Sequence, residues 1–132
     1  MTLLDVIQRI APGLNENNNI YAMWIEGSWA TGKNNDGSDI DVWLDVANDT
    51  FDVCIDAFRD ELVRIGTIDW EKSRGIYSEQ PKLTKHTFHL QNFSEKQVVE
   101  LDLQEKSRDF IFNKDEHTIK IIFDKNHSIK WQ

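Results

Sequence analysis

Two aspartates one residue apart, in Asp39-Ile40-Asp41, are the most chemically loaded positions of the chain. They open the run Asp39-Ile40-Asp41-Val42-Trp43-Leu44, which alternates charge and bulk like a β-strand. On a strand their side chains share a face, ~6–7 Å apart. At an effective dielectric of about 20 such carboxylates repel by roughly 2–3 kcal/mol, and aspartate is a poor strand former. A hard divalent cation with oxygen ligands would offset both costs. Upstream, Ile20–Glu26 reads as another strand and runs into Gly27-Ser28. A helix opening at Ser28 would present unpaired N–H groups to an anion, and Gly27 would let a phosphate approach the backbone. Phosphate donors beside cation-holding carboxylates describe a site for a nucleoside triphosphate with magnesium.

Two other motifs overlap these residues, and both fail on chemistry. Gly27-x-x-x-x-Gly32-Lys33 approaches a phosphate-binding P-loop, but Asn34 stands where a magnesium-binding Ser or Thr belongs. Residues 34–38, Asn-Asn-Asp-Gly-Ser, read as a turn rather than the helix a P-loop must open. A calcium loop with its glycine at Gly37 would make Gly32 its first ligand and Trp43 its last, and neither side chain can ligate.

Gly27-Ser28, ten intervening residues, then Asp39-x-Asp41 between apolar neighbours resembles the signature of the DNA polymerase β-like nucleotidyltransferase superfamily. Within it the pattern is most similar to the minimal nucleotidyltransferase and aminoglycoside nucleotidyltransferase branches. The resemblance covers residues 20–45 and 98–104 best; Ile122-Phe123-Asp124-Lys125-Asn126 is also similar, weakly, to a late aspartate-lysine segment of the aminoglycoside enzymes. It implies a third carboxylate on a neighbouring strand, flanked by apolar residues. Leu101-Asp102-Leu103 matches, with Glu100 on the same face as the reserve. It further implies two magnesium ions held by Asp39, Asp41 and Asp102, with Asp102 on the ion that activates the attacking group. Gly27 and Ser28, with Lys33 and Ser38 as lesser candidates, would bind the nucleotide. An acceptor would then attack the α-phosphate and release pyrophosphate.

The elements that must position these residues follow from periodicity. Thr2 caps a first helix with Leu3, Leu4, Ile7 and Ile10 on one stripe, and Pro12-Gly13 is expected to end it. Residues 15–19 read as a loop. After the second strand, Asp49 or Thr50 caps a helix carrying Phe51, Cys54 or Ile55, Phe58, Leu62 and Ile65, with Gly66 as its stop. Strands follow at 67–71, 85–91, 98–104, 118–124 and 128–131, with Lys125-Asn126 as a tight turn between the last two. Residues 73–85 read as loop, with a short strand around Ile76-Tyr77 as the alternative. Asp36 belongs to the Asp36-Gly37 turn, Asp45 is expected to be solvated, and the four histidines read as surface or strand residues without metal-ligand spacing. Trp24, Trp29 and Trp43 are expected as core or cleft wall around the motif, with stacking on a base or acceptor ring as the alternative for Trp29. The expected class is α+β: one mixed sheet with helices mainly on one face, the nucleotidyltransferase fold, as a single domain over residues 1–132.

Composition agrees with a folded protein: 39% of the residues are apolar, with five Trp and seven Phe. A net charge of −8 disfavours broad adhesion to nucleic acid or anionic membrane. A lone Cys54, no apolar run of ~18 residues and no signal-peptide layout point to a cytoplasmic protein. The expected activity is magnesium-dependent transfer of a nucleoside monophosphate from an NTP such as ATP to a hydroxyl of a small or cationic acceptor, such as an aminoglycoside. The alternative is a non-catalytic nucleotide- or partner-binding module, such as a toxin–antitoxin component. The adenylating aminoglycoside enzymes that this sequence resembles carry a second, helical acceptor-binding domain not seen in these 132 residues, so a second copy, a separate protein or further chain of a longer parent is expected to complete the acceptor wall.

Overall fold

The computed structural model describes residues 1–33, 37–76 and 79–132. Helix α1 (Leu3–Asn15) starts with a reciprocal cap: Thr2 Oγ1 accepts from the Asp5 N–H, and Asp5 accepts from the Thr2 N–H. It does not stop at Pro12. The proline removes one N–H, but the carbonyl this deprives belongs to Gln8, an exposed residue where water can substitute. Buried Ala11 and Leu14 then hold the final turn against the sheet.

Strand β1 (Ile20–Glu26) has the expected bounds, and the one-turn helix α2 (Ser28–Thr31) follows at Gly27. Strand β2 (Ile40–Val46) begins one residue later than expected and runs two further, which places Asp39 at its mouth and Asp45 inside it. Helix α3 (Phe51–Val63) buries Cys54, Ile55, Phe58 and Leu62. Thr50 precedes it but does not cap it through its side chain, because its hydroxyl donates to the Ala47 carbonyl instead.

Strand β3 (Ile68–Ile76) is longer than the short strand expected, because its polar residues pair with β4 (Leu83–Leu90) through the ladder rather than through an apolar face. The expectation for Tyr77, like those for Asn34, Asn35 and Asp36, lies outside the described residues. Strand β5 (Val99–Glu105) follows, then the two-residue β6 (Ile111–Phe112), β7 (Lys120–Asp124) and β8 (Lys130–Trp131). The tight turn expected at Lys125-Asn126 does not make a hairpin. A 3-10 turn with positive φ at Asn126 and His127 redirects the chain, and Asp124 Oδ1 accepts from the Ser128 N–H and hydroxyl. Strand β8 therefore pairs with β6, in parallel, and not with β7.

The main sheet runs β3-β4-β5-β2-β1-β7, antiparallel throughout except for the parallel β2–β5 pair. It is the mixed α+β sheet expected, with its helices on one face. Strand alternation does the sorting. Met23, Ile25, Val42, Leu44, Leu101, Leu103 and Phe88 meet α1 and α3 in the main core. The opposite face has a small second core of Ala22, Trp24, Phe112 and Ile129, and otherwise carries the polar residues of the central strands. Among the described residues no helix is long and apolar enough to cross a membrane.

Candidate active site

The register of three strands builds the site. Across β1, β2 and β5, Glu26 pairs with Asp41 and Asp41 with Glu100. One pair further along, Trp24 faces Trp43, Trp43 faces Asp102, and Asp102 faces Lys85 of β4. Two rows thus lie side by side on the face away from the helices, lining a cleft of 560 Å³ that includes Glu26, Asp41, Lys85, Glu100 and Asp102.

The carboxylates are crowded and partly dry. Asp102 is buried, and Asp41 and Glu100 are half-buried. Burial first, then the hydrogen bond and charge of the facing Glu100, push Asp41 up to about 7, with Lys85 pulling part of the way back. Burial likewise pushes Asp102 up to about 6, again against Lys85, whose Nζ lies 4.0 Å from Asp102 Oδ1 and 3.5 Å from Glu100 Oε2. Glu26 is raised mainly by burial, with His117 and Arg108 opposing. Asp39 differs from these. It is exposed at the mouth of β2, and its Oδ1 accepts from the Val98 N–H at 2.8 Å. A carboxylate has two oxygens, so this bond orients Asp39 without consuming it.

At the end of β1, Gly27 takes φ +79° and ψ −153°, a conformation open to glycine almost alone. A Cβ there would lie 2.8 Å from Asp41 Oδ2, so the turn and the carboxylate touch. Ser28 opens α2 half-buried beside it. Lys33 is exposed, with its N–H bonded to the Ser28 carbonyl, and Ser38 is half-buried directly before Asp39.

Some residues sit differently from expectation. Glu100, not Asp102, lies directly across from Asp41. Asp45 is buried rather than solvated; its Oδ1 accepts from Gln104 Nε2 at 3.5 Å, and burial pushes it up to about 6. The tryptophans, by contrast, lie as expected in core or cleft wall: Trp29 packs against the main core, Trp43 lines the cleft and Trp24 lies in the second core. Of the histidines, His86 and His89 are buried: His86 Nε2 meets Glu71 Oε1 at 2.7 Å, and His89 bridges Asp69 and the Ser94 carbonyl. Among the cleft residues that escaped the sequence reading are two charged ones in the carboxylate rows, Glu26 and Lys85. Their alternation was legible, but which strands neighbour one another was not.

The chemistry suits a hard cation. All donors are carboxylate oxygens, Gly27 has no Cβ to crowd Asp41, and proton retention by Asp41 and Asp102 is the response of buried carboxylates whose charge Lys85 offsets only in part. Among the described residues no three metal-binding side chains already converge on one point, so an ion would have to draw them together.

Folded-state pKa values above the unfolded value have a signed consequence. At Asp41, Asp45 and Asp102 the folded chain binds more protons than the unfolded one, so the stability these three groups contribute is fully present below about pH 4 and is lost as pH rises through 6 to 7. The expected result is a melting temperature for the metal-free protein that falls between pH 5 and pH 8. The fall should be smaller in Asp41→Asn, and an identical slope in the variant would show that Asp41 is not its source.

The fold and this carboxylate face define a nucleotidyl-transfer domain. The nucleotidyltransferase domain family matches residues 7–130, and the chain belongs to that family. No curated protein matches the chain.

Proposed function

We propose that the protein moves a nucleoside monophosphate from an NTP to a hydroxyl of a small, cationic acceptor, with magnesium bound at the aspartates. Family membership supports nucleotidyl transfer in general. The observation that supports the finer reading is the strand register that sets Glu26, Asp41 and Glu100 in one row, with the Gly27 turn in contact with Asp41. Asp39 and Asp41, with Asp102, would hold magnesium, which would neutralise phosphate charge and lower the pKa of the attacking hydroxyl. The chain's own contribution is positioning. Gly27 and Ser28 receive the β- and γ-phosphates, with Lys33 and Ser38 beside them, and Val98 orients Asp39 through its N–H.

Charge supports the acceptor class. The cleft carries Glu26, Asp41, Glu79, Glu100 and Asp102 against Lys85, on a chain of net charge −8. That field favours a cationic small molecule over a polyanion.

Calorimetry with ATP and GTP is expected to show tight binding only with magnesium, and pyrophosphate release should require an added acceptor. Asp102→Ala should stop release while retaining nucleotide binding, because the phosphate grip lies at the other end of the cleft. Glu100→Ala should do less. Magnesium-independent binding would refute the metal assignment, and the reverse ranking would move the third-carboxylate role to Glu100, the residue facing Asp41.

A further inference from the structure

Behind Glu26 the carboxylate cleft adjoins a second cavity, of 220 Å³, walled by Trp24, Trp43, Phe110 and Phe112 with Arg108 at its polar side. Glu26 and Trp43 line both spaces. We propose that this cavity is a base-binding subsite that takes the purine ring of the nucleoside triphosphate; the proposal rests on the transferase reading above.

The walls are aromatic and fixed relative to one another. The Trp24 and Trp43 rings stack at 5.9 Å and 12°, Phe112 meets Trp24 edge-on at 5.5 Å and 89°, and Phe110 meets Phe112 at 5.0 Å and 80°. Such a slot favours a flat ring, because aromatic faces stack on any base. A volume of 220 Å³ suits one fused ring system and excludes a multi-ring acceptor.

Its polar groups complement a heterocycle rather than a hydrocarbon. Glu26, partly desolvated, is an acceptor for a ring N–H or exocyclic amine. The Arg108 guanidinium lies 4.4 Å over the Phe110 ring and spends Nη1 on Gln104 Oε1 at 2.7 Å. Its other donors suit a ring nitrogen or carbonyl oxygen. Independently, the Trp24 indole N–H is buried with no hydrogen-bond partner among the described residues. An indole nitrogen can only donate, so an unmade bond there is costly and an acceptor atom on the ligand would remove that cost.

Position along β1 fits the same molecule. Trp24 precedes Gly27 by three residues, roughly 10 Å at ~3.4 Å per residue. Asp41 pairs with Glu26 between them. Phosphates at the Gly27 turn would therefore place the α-phosphate near the aspartates and the base at the tryptophans. The side of the large cleft at Glu79, Gln80 and Leu83 is then left for the acceptor.

The test uses the full chain and compares ATP, GTP, inorganic tripolyphosphate (each with magnesium) and the free nucleosides by calorimetry, in wild type, Phe110→Ala and Arg108→Gln. Half-buried Phe110 and Arg108 both lie outside the main core, and two variants guard against one failing to fold. Each variant should weaken ATP and GTP by about tenfold, as loss of one stacking or edge contact does, and leave tripolyphosphate unchanged. Wild-type ATP binding no tighter than tripolyphosphate, or equal loss for both ligands in the variants, would overturn the subsite while leaving the transferase reading intact. Variant-sensitive nucleoside binding without any tripolyphosphate binding would support the subsite and overturn the transferase reading.

Discussion

Asp39→Asn combined with Asp41→Asn is expected to abolish the magnesium dependence of nucleoside triphosphate binding and to reduce transfer to background without unfolding the chain. Asparagine keeps the shape of both side chains. At position 39 its carbonyl oxygen can still accept the Val98 N–H that aspartate Oδ1 accepts at 2.8 Å. At position 41 its amide can donate to Glu100, replacing a clash of two anions by a hydrogen bond. Both carboxylates are lost as hard ligands, however, and neutral amide oxygens are poor substitutes for a magnesium ion that must sit among phosphates. The apo double variant should therefore melt higher than wild type above pH 7, where the wild-type cleft carries its full negative charge. Relief worth about 1 kcal/mol would raise the melting temperature by about 4 °C. Thermal scans with and without magnesium, paired with calorimetry using ATP, separate the two effects. Retained magnesium-dependent binding in the double variant would remove Asp39 and Asp41 from the metal site.

What the sequence made legible was local. Strand β1 was readable to its ends because six of its seven residues are apolar or aromatic and Gly27 stops it. The pair Gly27-Ser28 and Asp39-x-Asp41 was readable because the chemistry demands those residue types at that spacing. What stayed hidden depends on partners distant along the chain. The role of Lys85 follows from β4 lying beside β5, and that of Glu26 from the β1–β2 register. Strand β3 has a ladder and an Arg59–Glu71 ion pair but no continuous apolar face, so periodicity under-reported it. The pairing of β6 with β8 joins two-residue strands 19 positions apart at Ile111 and Lys130, far too short for any pattern to announce. Asp45 misled because an aspartate in a strand suggests solvent, whereas Gln104 and the neighbouring turn enclose it.

Gly27→Ala is expected to damage both stability and transfer, and for two separable reasons. At φ +79° and ψ −153° the backbone occupies a region that costs a residue with a Cβ about 1–3 kcal/mol. For a chain of this size that corresponds to a melting temperature lower by roughly 4–12 °C. In addition, the new methyl group would lie 2.8 Å from Asp41 Oδ2, inside any tolerable contact, so the carboxylate or the turn must move. Movement of either separates the phosphate end of the site from the metal end, and positional errors of about 1 Å can cost about a hundredfold in rate. Gly32→Ala supplies the control. Gly32 also has positive φ, +76°, yet an added Cβ there meets nothing within 4 Å among the described residues. Its substitution should cost roughly 1–2 kcal/mol of backbone strain and little activity. A larger loss of kcat/KM in Gly27→Ala than in Gly32→Ala, at comparable losses of stability, would assign the difference to the Gly27–Asp41 contact. Equal kcat/KM in the two variants would show that Asp41 does not depend on the bare backbone beside it.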